Sequence, residues 1–275
     1  MANSVHIVTL LYYPELAQDT VACATQLARK LALRGHAGSL LTVVNNPKID
    51  RARLRCETVA HDNTGLEFGG YQRGLDMLGT LSATESVVFL NDTCMSHHVF
   101  GVVPRANLLA AASDMTGRMQ PAAAGVVTDS QVGSFSIRGL ALDRWVSTWA
   151  FVLNHAALQG LQWRIYEPEL EQLVTGAPTL DAFWDTGLDP RLVGHLNVWL
   201  FGSADQHRWY GAQPLSAANA PGFARKARAI LQEKYLSARL LQQRARLYSI
   251  RPAGIGQRLL HRLQCAREGR PRGFV

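Results

Sequence analysis

Residues 5–92 alternate between short, continuous apolar runs and longer amphipathic stretches, and that alternation leaves few folds open. VHIVTLLYY (5–13) is apolar throughout and holds β-branched residues, as a strand buried on both faces does. Residues 19–34 carry Val21, Ala22, Leu27, Leu31 and Leu33 at helical spacing, and Gly35 follows as a stop. SLLTVVNN (39–46) predicts a second strand closed by Pro47, and CETVAHDN (56–63) a short third. Residues 69–81 are helical in pattern, and SVVFLND (86–92) predicts another buried strand. Strand, helix, strand, helix, strand implies a mostly parallel α/β sheet of Rossmann type, with right-handed crossovers and flanking helices.

Beyond residue 100 the pattern is looser. Residues 108–119 look helical, 122–130 and 133–142 supply strand and turn material, and 145–154 form an aromatic-rich strand. Helical patterns recur at 155–163, 168–174 and 189–201. Residues 223–246 predict a long helix with one apolar stripe, and 255–266 a shorter one after Pro252 and Gly254.

Charge divides the chain. From Pro221 to Val275 there are thirteen Lys or Arg against two acids, a net +11; the whole chain is +7, so the rest is −4. The expected organisation is an α/β body over 1–220, with a ligand-binding half (1–100) and a second half (101–220). A basic amphipathic helical extension over 221–275 completes it. Such an extension suits peripheral contact with an anionic membrane, or packing on the body; it carries no nucleic-acid motif. At 47% hydrophobic and 18% charged residues, disorder is excluded. No run of about twenty apolar residues predicts a membrane span. The N-terminus lacks the basic region of a signal peptide. Cys23, Cys56, Cys94 and Cys265 are far apart, with no C-x-x-C pair. Together these features predict a cytoplasmic protein.

In a parallel α/β sheet, ligands bind beyond the carboxyl ends of the strands. Those ends carry Tyr12, Tyr13, Pro14 and Glu15; Asn45 and Asn46; His61, Asp62 and Asn63; and Asn91 and Asp92. Any one of them is also what a loop normally contains. Gly65 permits a tight turn, and Gly69 and Gly70 permit close backbone approach at a helix start, whose N–H groups suit a diphosphate. Neither G-x-G-x-x-G nor a P-loop is present. Asp92 is placed to hold Mg²⁺ or Mn²⁺ against phosphate oxygens, or else to cap the next segment. His97 and His98 are adjacent and point apart, which favours a loop role over a shared metal.

The order VVNNPKID, HDNTGLEFGGYQRGLDML, SVVFLNDT resembles the nucleotide-binding half of a GT-A glycosyltransferase, in particular the rhamnan synthesis protein F type related to family 2. Asn63, Gly65, Glu67, Phe68, Gly69, Tyr71, Gly74 and Leu75 match one motif of that type, and Leu90, Asn91, Asp92 and Thr93 the other. VVTDSQVGSFSI and WVSTWAFVLNHAAL are similar to its next block. The likeness runs over about 5–165. Where the family has D-x-D, this chain has a single acid, Asp92.

The resemblance implies sugar transfer from a nucleotide-diphosphate donor to a saccharide or lipid-linked acceptor in bacterial surface polysaccharide assembly, with inversion. It implies Tyr12, Asn45, Asn46, Asn63, Gly65, Glu67, Arg73, Asn91 and Asp92 on the donor side, with Asp92 as metal ligand. Asp189, before a helical run, would be the catalytic base, with Asp185 as competitor; the local sequence Asp189-Pro190 also reads as a helix cap. Trp149 would face the acceptor, although Trp145, Trp149, Trp163 and Trp184 are mostly expected in the core. Two rivals remain. A nucleotidyltransferase would want a Gly-rich basic loop after the first strand, and LYYPELAQDT offers none. A GT-A-like protein that binds glycan or nucleotide without catalysis would tolerate the missing second acid.

Overall fold

The computed structural model describes residues 3–96, 98–203 and 208–267. Seven strands form one sheet: β1 (Ser4–Leu11), β2 (Leu40–Val44), β3 (Glu57–Ala60), β4 (Glu85–Asn91), β5 (Ala122–Asp129), β8 (Arg144–Asn154) and β9 (Arg246–Ser249), in the order β3-β2-β1-β4-β8-β5-β9. Only β8 runs against the others. A separate hairpin joins β6 (Phe135–Ile137) to β7 (Leu140–Leu142).

Helices cover both faces because the strands alternate two apolar sets. Val5 and Ile7 of β1 face α1 (Ala17–Ala32) and α3 (Val102–Met115), packing with Leu27, Leu31, Leu108 and Met115. Val8 and Leu10 face α2 (Leu66–Leu78) and α7 (Ala220–Gln242), packing with Phe68, Tyr71, Leu236 and Leu240. A third cluster joins the hairpin to α6 (Pro190–Phe201) and α7, around Phe135, Trp145, Leu196, Phe223 and Leu231. The remaining helices are α4 (His155–Gly160), α5 (Leu180–Phe183) and α8 (Ile255–Arg267).

The glycines of α2 serve helix–sheet packing. A Cβ at Gly70 would lie 2.4 Å from Leu10 Cδ1 and 2.9 Å from Asn45 Oδ1, so only a residue without a side chain lets the helix sit this close. The helix begins at Leu66, three residues before the apolar periodicity suggests, because Gly65 and Leu66 take positive φ values of 70° and 54° and turn the chain into it.

Residues 221–267 are woven into the body. The apolar stripe of α7 is buried core, and β9, which sequence pattern does not pick out, pairs with β5 as the last strand of the sheet. Several α7 cations clamp loops instead of facing solvent. Arg239 Nη1 donates to Arg164 O (2.7 Å) and Glu167 Oε1 (2.6 Å), and Arg228 Nη2 to Val174 O (3.1 Å). Residues 268–275 of the expected extension, and His97, lie outside the described residues.

Candidate functional site

The strand order fixes where a ligand can enter. The chain steps from β1 outward to β2 and β3, then returns to place β4 on the other side of β1. The carboxyl ends of β1 and β4 therefore flank the topological switch point, where a crevice opens in sheets of this kind. Antiparallel β8 pairs with β4 only as far as Ala150, opposite Leu90. Its residues 144–149 reach past the end of β4 and wall the same side.

Asp92 sits at this point. It follows β4 directly and is 2% exposed, and its Oδ2 accepts hydrogen bonds from the backbone N–H groups of Tyr12 (2.5 Å) and Tyr13 (2.7 Å), just past β1. One carboxylate thus bridges the two strand ends across the switch point. Burial pushes its pKa up from 3.8 to about 6, and the two amide donors only partly offset this. Both of these bonds fall on Oδ2.

Other ionisable groups share the neighbourhood. Burial raises the Tyr13 hydroxyl pKa, and Asp92, Tyr210, Tyr12 and Glu67 add to it. Glu67, in the first turn of α2, is raised by desolvation, against which the charge of Lys226 works. Glu233 of α7 raises it further. Glu233 Oε2 accepts from Thr148 N (2.9 Å) and Thr148 Oγ1 (3.2 Å) of β8, whose carbonyl accepts from the Tyr71 hydroxyl (2.8 Å). Lys226 lies 5.8 and 5.7 Å from the ring centroids of Trp199 and Trp209. Lys234, 3% exposed, stands 2.8 Å from the Trp145 ring centroid and 3.9 Å from Glu233 Oε1; burial drives its pKa well down.

The expected donor residues divide into those that shape the crevice and those elsewhere. Asn45 is 3% exposed and ties the loop before α2 together. Its Nδ2 donates to Asn63 Oδ1 (3.1 Å) and Leu66 O (3.0 Å), and its Oδ1 lies 3.1 Å from His61 Nδ1. Asn46 Nδ2 donates to Tyr12 O (2.7 Å), which fixes the backbone beside Asp92. Asn91 Oδ1 accepts from Thr93 N (3.2 Å) and caps the turn holding Asp92. These three asparagines are committed to loop geometry. Tyr12, Gly65 and Glu67 remain at the strand and helix ends, while Arg73 is exposed, seven residues into α2.

Three expectations for the second half take other roles. Asp189 is the N-cap of α6: Oδ1 accepts from Arg191 N (2.8 Å), and Oδ2 from Ser136 N (2.8 Å) and Ser136 Oγ (3.3 Å). Those donors, the Arg191 amide foremost, hold its pKa down to about 2. Asp185 is exposed, with Oδ1 accepting from Gly187 N (2.8 Å). Trp149 is 5% exposed, stacked on His98 at 4.5 Å and edge-on to Phe100 at 5.4 Å, inside the core. Its indole packs in the cluster that holds Phe100, Leu90 and Val126. Trp145 and Trp184 are likewise buried.

Sequence reasoning passed over Glu233, Lys226 and Tyr210. Glu233 belongs to no motif. The available signal was Lys234, a charged residue at a position of the α7 apolar stripe, three after Leu231 and four after Ile230.

For a divalent cation the donors are sparse. Among the described residues no group of three or more His, Cys, Asp or Glu is placed to hold one. Asp92 is the carboxylate that β4 brings to the switch point, so phosphate oxygens and water would have to complete the shell of any cation held there. An open depression of about 490 Å³ lies elsewhere, between the β6–β7 hairpin and the end of α7, lined by Leu140, Leu142, Asp143, Leu241 and Gln242. Its lining mixes polar and apolar residues, with Asp143 as its one carboxylate. No protein-family model matches the chain, and no curated protein matches it.

Proposed function

We propose that the protein is a glycosyltransferase that takes a sugar from a nucleotide diphosphate and passes it to a saccharide or lipid-linked acceptor hydroxyl. The observation that carries this reading is the Asp92 carboxylate bridging the ends of β1 and β4 at the switch point of a parallel sheet. The diphosphate would lie near the start of α2, where the helix N-terminus and Lys226 would offset the charge that builds as it leaves. The acceptor oxygen forms a bond to the anomeric carbon while the bond to the diphosphate oxygen breaks, taking the electron pair with it. The acceptor proton goes to a carboxylate. Glu67 suits that step better than Asp189, because desolvation lifts its pKa toward working pH.

The first test is thermal unfolding with UDP, GDP, dTDP or CMP, each with and without Mn²⁺. A ligand that binds only the folded chain raises the melting temperature. One nucleoside diphosphate should do so for wild type and for Glu67→Gln. Turnover of the matching sugar nucleotide should fall roughly 10²–10⁴-fold in Glu67→Gln. Absence of any shift, in a protein that melts cooperatively, would refute the donor site.

A second reading has its own support. The single acid at Asp92, where the family that the sequence resembles has two, suits a GT-A-like protein that binds nucleotide or glycan without turning it over. Nucleotide binding with no transfer to any acceptor, and no effect of Glu67→Gln, would favour it.

A further inference from the structure

Helix α8 is folded inside out. On the side packed against α3 it buries His261 and Cys265, with Gln264 half-buried. Gln264 Oε1 accepts from Val102 N (2.9 Å), and Gln257 exchanges hydrogen bonds with Asn107 (3.4 and 3.3 Å). The large apolar side chains point the other way. Ile255 is 87% exposed, Leu259 58%, Leu260 49% and Leu263 61%, and Val102 beside the helix is 60% exposed. An isolated exposed leucine is ordinary; four on one helix of thirteen residues, with a fifth apolar neighbour, form a patch.

We infer that this face of α8 docks on an anionic lipid surface. The spacing of Ile255, Leu259 and Leu263 makes one stripe, and Arg258 and Arg262, both exposed, run along its edge. Helix α8 itself carries no acidic residue, so the charged side chains beside the stripe are arginines. A bilayer surface with anionic headgroups meets both needs at once, apolar contact for the leucines and phosphate for the guanidiniums. A two-fold contact with a second copy would instead bring the arginines of both copies together.

Orientation fits as well. Gln264 lies at the first residue of α3 and Gln257 at Asn107, so α8 runs antiparallel to α3. Because α3 begins just after the loop that follows β4, the C-terminal end of α8 lies at the same end of the sheet as Asp92. A membrane held there would sit beside the crevice. The long helix α7, by contrast, buries its stripe in the core and has none to offer.

The inference stands apart from the donor-site reading, since it is tested without nucleotide. Full-length protein is floated with vesicles of phosphatidylcholine, with and without phosphatidylglycerol. Wild type should float with the anionic vesicles and be released by salt. Leu259→Ser with Leu263→Ser should lose binding at unchanged melting temperature, because both residues are already exposed. Arg258→Gln with Arg262→Gln should weaken it roughly tenfold or more and serves if the leucine pair disturbs folding. Equal flotation with both vesicle types, no flotation, or unchanged flotation of the variants would overturn the inference. So would a concentration-dependent dimer in sedimentation that the leucine pair abolishes, which would give the face to a second copy.

Discussion

Replacing Asp92 by Asn should make the protein more stable and less able to bind. The carboxylate is 2% exposed, and its pKa rises from 3.8 to about 6 in the fold despite two amide donors. The folded state thus holds a proton that the unfolded chain has released between those values. Stability therefore falls as pH rises from below 3.8 to above 6, and the full penalty applies above 6. A shift of this size is worth about 3 kcal/mol at pH 7. Asn resembles the neutral acid: its carbonyl can still accept from the Tyr12 and Tyr13 amides, and it has no charge to desolvate. Asp92→Asn should gain up to about 3 kcal/mol at pH 7, or roughly 5–10 °C in Tm for a chain of this length. The assay is urea unfolding of wild type and variant from pH 4 to 8. The difference between the two curves should grow through pH 4–6 and then level off. Nucleoside diphosphate binding should weaken in the same variant. A flat difference, or a variant less stable than wild type at pH 7, would refute the reasoning. It would mean that the two amides solvate the carboxylate better than water does.

Other substitutions separate structural from functional residues. Gly65→Ala forces a Cβ onto a residue at φ 70° and 2.5 Å from the Tyr166 ring, whose hydroxyl is held by Glu171. It should cost ~2 kcal/mol or more, read by urea unfolding. Trp149→Ala should cost about 3–5 kcal/mol, as a buried aromatic does, while the folded fraction keeps its nucleotide affinity. Asp189→Ala should lower Tm and leave turnover per folded molecule unchanged; a folded but inactive variant would restore it as the base. Its carboxyl is depressed from 3.8 to about 2, so its stabilisation is complete above pH 4 and lost as pH falls toward 2. The variant should lack that acid-side loss.

The parallel half of the fold was legible because each of its elements carries its own signal. VHIVTLL, LLTVV and SVVFLN are apolar along their whole length, which only a strand covered on both faces needs. Glycines and asparagines marked the turn before α2 and the end of β4. That Asp92 and Tyr12 lie near one another could be anticipated from strand ends alone. Their hydrogen bonds could not, because they depend on β4 returning beside β1. The sequence signals of Asp189 and Trp149 were ambiguous between roles. Asp before Pro is a helix cap in one context and a base in another, and an indole is a sugar platform or core according to what covers it.

What the sequence determined by itself was local: the apolar runs, the caps, the turns, and the arginine-rich, acid-free stretch after Lys234. What only the tertiary structure decided was which of these segments meet. It drew β9 into the sheet beside β5, although RLYS has no strand pattern of its own, because an edge strand's unpaired backbone groups supply the partner. It set Glu233 against Thr148 and within reach of Glu67, three residues far apart in sequence. It also turned the α7 stripe inward and the α8 leucines outward. Both helices carry the same kind of amphipathic pattern. A pattern specifies that a face will be covered, and the packing of the rest of the chain decides whether the cover comes from within.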